Sequence, residues 1–538
     1  MRTFVACIAL IVAGGGALSV AIAGQGASAG LLMANQMAEA LGGRDRVLAV
    51  KTLRIVGYGE LAYQNGGGNI TGHPDAPQKT RSVVDYERTI DFENRRMRVQ
   101  QRVKNHFVFA SFAGQLGLTR TNEVLDGDVA YNVAQNPTAP TAAAQYQRVG
   151  SAVARQRRMD LLSHPLAIVR AALDPTTTLG NVRRQGSLQL VDVTLRQGDK
   201  MTVAMDAATH LPAWVSYVGP NVNLGDVTFR VAFVGYVPVK GIQLPTGIST
   251  VMDWRNVVQS KIYVDRNVVD EPMADAAAPE SVRAAAPDAG EDRNANLQPV
   301  KVADHVWYVN GATFFEFDDH LTMFEANRGE AGLMAVLKIG NSLVPGKRVT
   351  QVIQSHHHFD HSSGLRAAVA AGLTVIARRG NEGIFREMTS RPATLFPDAL
   401  GRNPQPLKFI PVDDHLKLKD STNEVDVYHV IGNYHMADGV IAHVPASRLL
   451  VEADLTTQNW DLNWWGDGYL NNIEYRKLRV DTNLAVHAQQ PFPIGEVTAA
   501  IERQVRNAQA LCRKAGDAQF FLPGCPIQYD RPLPSGTN

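Results

Sequence analysis

The chain reads as an α/β (α+β) protein in two parts, a β-rich first half and a second half in which strands alternate with helices. Three observations carry that division. At 538 residues the chain is too long for one hydrophobic core. Glu271 to Asn296 is rich in Ala, Pro, Asp and Glu without apolar periodicity, and reads as a linker over 271–296. The apolar pattern also changes across it, from two-residue alternation before the linker to apolar runs separated by helical stretches after it.

In chain order, residues 1–29 come first. Arg2 opens a short positive region, an apolar stretch follows from Phe4 to Val12 and continues through Gly14 to Gly16 into Ala17 to Ala23, and small residues stand at Ala21-x-Ala23 and Ala27-x-Ala29. This is a secretory signal pattern, with cleavage expected after Ala23 or Ala29. A retained anchor helix is the alternative that length allows, but the glycines and the two cleavage sites disfavour it. The expected compartment is the periplasm or the exterior, with a mature chain that does not span a membrane. Of three cysteines, Cys7 lies in the leader, and an exported protein invites a disulfide between Cys512 and Cys525; two unpaired thiols are the alternative.

Residues 30–270 form the expected β-rich accessory domain. A helical stretch over Leu31 to Leu41 precedes alternating segments at Thr52 to Gly59, Arg81 to Phe92, Arg95 to Val103, Leu188 to Leu195 and Met201 to Met205, bounded by Gly, Asp or Asn. One helix is expected over about 157–173, with Arg155, Arg157 and Arg158 on a solvated face. Asp206-Ala-Ala-Thr-His-Leu-Pro212, Gly225-Asp226 and the stretch from Tyr236 to Pro245 resemble the edges of the open β-sheets of periplasmic lipoprotein carriers. That likeness implies an open antiparallel sheet around a helix, able to hold an apolar or acyl ligand or to cover the second half. Charge adds little: 53 Lys and Arg stand against 52 Asp and Glu. No basic footprint of a nucleic-acid partner is present, so a small-molecule substrate is expected.

The chemistry lies in 297–538. Strand-like starts at Val302 to Val309 and Leu321 to Glu325 lead to an apolar run, Val349 to Ile353, and then to His356-His-His-Phe-Asp-His361. His356, His358, Asp360 and His361 place three imidazoles and a carboxylate within six positions at a strand end. If the segment leaves the strand as a loop, His356 and His358 chelate one ion while Asp360 and His361 turn toward a second. Bystanders would each need a hydrogen-bond partner to be buried. Imidazole with carboxylate suits zinc, and also iron or manganese. Three further candidates end apolar strands: His435 after Val430-Ile-Gly-Asn-Tyr, Asp454 after Arg448-Leu-Leu-Val-Glu-Ala, and His487 after Leu484-Ala-Val.

His-x-His-x-Asp-His followed by Ser362, Ser363 and Gly364 is similar to the signature of the metallo-β-lactamase-fold metallohydrolases. The resemblance, over roughly 300–520, implies an αββα sandwich with a dinuclear metal site at one edge. It implies that His356, His358 and His435 hold one Zn2+, that Asp360, His361 and His487 hold the other, and that Asp454 bridges them. Ala488 stands where the family usually has Gly after the last ligand. Two such ions activate water for hydrolysis. Asp360, and Tyr434 as a hydrogen-bond donor to a developing oxyanion, are the candidate catalytic residues. Trp460, Trp464, Trp465 and Tyr469 follow Asp454 and are candidates for an apolar wall over the substrate, with packing of the loop as the other reading.

The bridging Asp454 resembles the family's lactonases, thioesterases and phosphodiesterases, whereas its antibiotic-hydrolysing members usually carry Cys or Ser near that place. His358 stands where the electron-transferring diiron members typically carry Glu. Export disfavours the RNA-processing and glutathione-thioester branches. The expectation is an exported dinuclear hydrolase acting on a small-molecule ester, lactone, amide or related bond. A β-lactamase or a mononuclear iron oxygenase of the same fold is one alternative. A lipid- or lipoprotein-binding periplasmic protein with an auxiliary metal domain is the other.

Overall fold

A computed structural model describes residues 28–64, 70–105, 118–134, 143–272, 274–290, 296–433, 435–456, 466–488 and 490–515. Residues 1–27, Tyr434, Trp460, Trp464, Trp465 and Cys525 lie outside the described residues. Among the described residues no helix is long and apolar enough to cross a membrane.

The first half is one open antiparallel sheet of thirteen strands. Its middle strand is the last in sequence, Val258–Val269, and beside it lies the first, Thr52–Ala62, which pairs with it on one side and with Thr80–Asp91 on the other. Alternation does the local work: Leu53 and Ile55 are fully buried while their neighbours Arg54 and Val56 are half-exposed. The buried face packs against helices over residues 28–40, Ser151–Leu162 and Pro165–Leu173, through Met33, Met37, Met159 and Ile168.

Two expectations for this half are corrected. The single helix over about 157–173 is two helices. Pro165 cannot donate a backbone hydrogen bond, so the first helix ends before it and His164 caps the second, its side chain accepting from the Leu166 N–H. The arginines of the first helix are not a solvated face. Arg157 is buried and donates to the carbonyls of Val124 and Tyr131, while Arg155 and Arg158 both pair with Asp199. The stretch after Glu271 is likewise packed over part of its length: Tyr131 donates to the Ala277 carbonyl and Val282, on the short helix Glu280–Ala284, is buried.

The second half is a four-layer αββα sandwich. Seven strands form a mixed sheet from Val300–Ala303 to Lys408–Val412, and six form a second from His415–Lys419 to Phe492–Pro493. The strand expected over Val302 to Val309 is a hairpin turning at His305, which has a positive φ of 61°. Phe315, Phe324, Ile353 and Ile376 of one sheet meet Val425, Val427, Val451 and Leu484 of the other in a shared core. Helices Gly329–Leu343, Leu365–Ala370 and Glu382–Ser390 cover the outer face of the first sheet, and Gly466–Tyr475 and Ile494–Ala515 that of the second. The metal-type residues gather where strand ends of both sheets open on one edge.

The two halves are locked together. Trp254 and Arg255 both donate to the Glu387 carboxylate, and Asp226 accepts from the Thr394 N–H and hydroxyl. Trp254 also stacks at a tilt on Phe359, inside the histidine-rich loop, with ring centroids 5.5 Å apart.

Candidate metal centre

The loop bearing the hexad starts where strand Arg348–Ile353 runs out. Its turn depends on Gly364, where a Cβ would lie 2.9 Å from the carbonyl oxygens of both Ala326 and Asn327. The Gly364 N–H donates to the Ala326 carbonyl, so the loop closes against the end of the neighbouring strand. From the first half, Asn223 donates to the Phe359 carbonyl at 2.9 Å and to the Ser362 hydroxyl at 3.2 Å.

All seven residues expected as ligands come together in two groups, His356 with His358, His435 and Asp454, and Asp360 with His361, Asp454 and His487. Within each group the candidate ligand atoms lie within 4.8 Å of one another. Asp454 belongs to both, and its two oxygens divide between them. Oδ2 lies 2.8 Å from His435 Nε2 and 3.6 Å from His356 Nε2, while Oδ1 lies 3.0 Å from His361 Nε2 and 2.8 Å from His487 Nε2. His356 Nε2 also faces His358 Nδ1 at 3.0 Å. The first group is sealed from solvent. The second opens outward through Asp360, 29% exposed, and His487, 40% exposed.

Electrostatics separates the two groups. Burial, reinforced by the neighbouring imidazoles, pushes His356 and His358 well below the ordinary histidine value, so they are neutral with lone pairs available. For His361, burial opposes charge but Asp454 and Asp360 win and raise it well above the ordinary value. His487 is raised in the same way, and Asp454 is held low against burial by His361 and His487. In the protein alone, protons on these rings balance the carboxylates, and a cation binding there would displace them.

Sequence reasoning missed the residues that hold this cluster in place. Glu325 is fully buried at the end of strand His320–Phe324, with a positive φ of 83°. It accepts from Ser355 at 2.5 Å and from Gln354, and sits 3.2 Å from His361 Nδ1. Ser355 in turn lies 2.9 Å from His356 Nδ1. Both rings therefore have Nδ1 tied down and Nε2 aimed at the cluster, the usual second layer of a metal site. Asp454 also has a positive φ, 60°. Its loop is braced by Glu452, which accepts from the Leu455 N–H and the Thr456 hydroxyl. Left-handed backbone at a non-glycine residue costs about 1–3 kcal/mol and is commonest at functional sites. A carboxylate directly after an apolar strand was the one signal that could have singled out Glu325.

Other histidines serve elsewhere: His429 bonds to the Ala437 carbonyl and His443 to that of Arg479. Tyr469 is not on a cleft wall. It is fully buried in the core under the C-terminal helices, with its hydroxyl donating to Asn483 at 2.6 Å.

No protein-family model matches this chain, and no curated protein does. Solved structures are similar over about 40% of its length. The inverting sec-alkylsulfatase Pisa1 from Pseudomonas sp. is 17% identical over 41% of this chain and 44% of its own, with a TM-score of 0.29. A metallo-β-lactamase from Pontibacter korlensis is 14% identical over 39% of this chain and 99% of its own, at 0.29, and rubredoxin oxygen:oxidoreductase from Desulfovibrio gigas 13% over 39% and 61%, at 0.30. Metallo-β-lactamase-fold proteins are what this chain is similar to.

Proposed function

We propose that this protein is an exported metal-dependent hydrolase that holds two divalent ions, zinc foremost, and cleaves an ester, lactone, amide or related bond in a small molecule. The observation that carries the reading is the division of Asp454's two oxygens between two histidine groups. The donor set fits a borderline cation: imidazoles and carboxylates, with no thiolate among them. Two ions held there would supply activated water at neutral pH and polarise the bond to be cleaved.

The chain's own part is orientation and access. Glu325 and Ser355 set the ring tautomers, Asn223 and Gly364 fix the loop, and Asp454 sets the relation of the two groups. Asp360 and His487 face the open side, which is where a substrate would enter. The secretory pattern of the leader supports export.

The test is to load the purified full-length protein with zinc, count the metal, and assay lactone, β-lactam, sulfate-ester, phosphodiester and aryl-ester substrates. Two equivalents of zinc with turnover that is lost on chelation is the expected result. Turnover that survives complete metal removal would overturn the proposal, as would a protein that binds no zinc.

A further inference from the structure

The first half of the chain also reaches the site itself. Strand Thr52–Ala62 ends beside the hexad, and the chain leaving it is bound to both ligand-bearing loops: the Gln64 carbonyl accepts from Phe359 N–H at 3.2 Å, and the Ile70 carbonyl accepts from Ala437 N–H at 2.7 Å. Tyr63 and Asp360 therefore flank one hydrogen bond. Burial pushes the Tyr63 phenol up to about 12, the carboxylates of Asp360 and Asp454 acting in the same direction against the opposing Arg81 charge, so its hydroxyl keeps its proton.

A cation accompanies it. The Arg81 guanidinium lies over the Tyr63 ring, 5.2 Å from its centroid, and Arg81 Nε is buried with no hydrogen-bond partner among the described residues. The Lys79 backbone is paired to Tyr63 across the same strands, Tyr63 N–H donating to the Lys79 carbonyl at 2.9 Å. A buried guanidinium nitrogen without an acceptor is costly, and an oxyanion is what relieves it. Two dications against the two carboxylates of the cluster would leave the site net positive, which favours the same class of ligand.

We propose that Tyr63 and Arg81, from the first half, complete the substrate site and select substrates carrying an oxyanion, a carboxylate, sulfate or phosphate group, beside the bond that is cleaved. Arg81 pairs with the oxyanion and Tyr63 donates a hydrogen bond to it. This rests on the metal-site reading above. The accessory half is then part of the specificity machinery, and the second half without it would have lost its anion contact.

The experiment uses full-length protein loaded with cobalt, whose visible spectrum reports the metal site without any turnover. Acetate, sulfate and phosphate are titrated separately, so that the three oxyanion classes are distinguished. At least one should perturb the spectrum saturably. Arg81→Gln should weaken that anion roughly 10- to 100-fold, the effect of losing a charged hydrogen bond, and Tyr63→Phe should weaken it several-fold. Both should keep wild-type metal content and the wild-type anion-free spectrum. Arg81→Lys, which keeps the charge, should recover much of the binding and guards against a folding defect. Undiminished anion affinity in both Arg81→Gln and Tyr63→Phe, with metal intact, would overturn the inference and leave the metal site standing. Failure of the wild type to bind cobalt would overturn both.

Discussion

Replacing Glu325 by Gln should loosen both metals at once, although Glu325 belongs to neither ligand group. One oxygen of its carboxylate accepts from Ser355, which holds His356, and lies 3.2 Å from His361 Nδ1. The other accepts from Gln354 Nε2, which also donates to the His356 and His361 carbonyls. Glutamine has the same shape but one acceptor. If its oxygen serves Ser355 and His361, its NH2 meets the Gln354 NH2; turned over, it presents a donor to the His361 ring and the Ser355 hydroxyl. Either way a buried bond is lost and the others lose charge assistance. Outer partners of this kind are worth about 10- to 100-fold in metal affinity, roughly 1.4–2.8 kcal/mol, in line with about 1.5–3 kcal/mol for a hydrogen bond to a charged group. Competition with a chromophoric chelator at fixed pH measures it, and circular dichroism checks that the fold is kept. Two zinc equivalents of unchanged affinity would refute the argument that Glu325 sets the ligand rings.

Other outcomes are equally definite. His358→Ala should lose one metal and nearly all hydrolysis, read by metal analysis alongside turnover; retention of both would remove His358 from the ligand set. His164 is buried beside Arg88, and burial pushes its imidazole down to about 3. A depressed histidine stabilises the fold above its unfolded value near 6.5, and that stability is lost as pH falls. The folded state should therefore lose about 2 kcal/mol from this residue between about pH 7.5 and pH 5. His164→Asn keeps a helix cap and should flatten that decline in urea unfolding; an unchanged pH slope would contradict it. Asn223→Ala leaves the Phe359 carbonyl without its donor and should lower stability by roughly 1–3 kcal/mol, visible as a lower urea midpoint, with slower hydrolysis because the hexad loop is less firmly held.

The residues of the candidate metal centre were legible because their signal is local. Four ligand-type side chains within six positions, and His435, Asp454 and His487 each just past an apolar run, need only the strand periodicity around them to be placed at strand ends. The strands Thr80–Asp91 and Leu188–Thr194 were legible for the same reason, alternation enforced by a half-buried sheet. The break at Pro165 was visible in the sequence too, but continuous apolar spacing on both sides of it outweighed the proline.

Tertiary structure alone decided what depends on contacts between distant segments. Glu325 carries only the faint signal of a carboxylate after an apolar strand, and nothing around Ser355 or Asn223 distinguishes them from ordinary strand-end and turn residues until the first sheet and the first half are packed against the loop they brace. Arg157 looks like a surface charge until the carbonyls of Val124 and Tyr131 arrive to bind it. Tyr469 reads as part of an aromatic loop until Asn483 and the C-terminal core enclose it. Tyr63, far from the hexad in sequence, and Arg81 over its ring are brought toward it because a central strand of the first sheet, Thr52–Ala62, ends there, where the Gln64 carbonyl accepts from the Phe359 N–H. A residue's candidacy as a ligand is a property of side-chain type and local chain direction, which the amino-acid order contains directly. The support and access of a site depend on which surfaces come to be buried together, and that is settled only when the whole chain has packed.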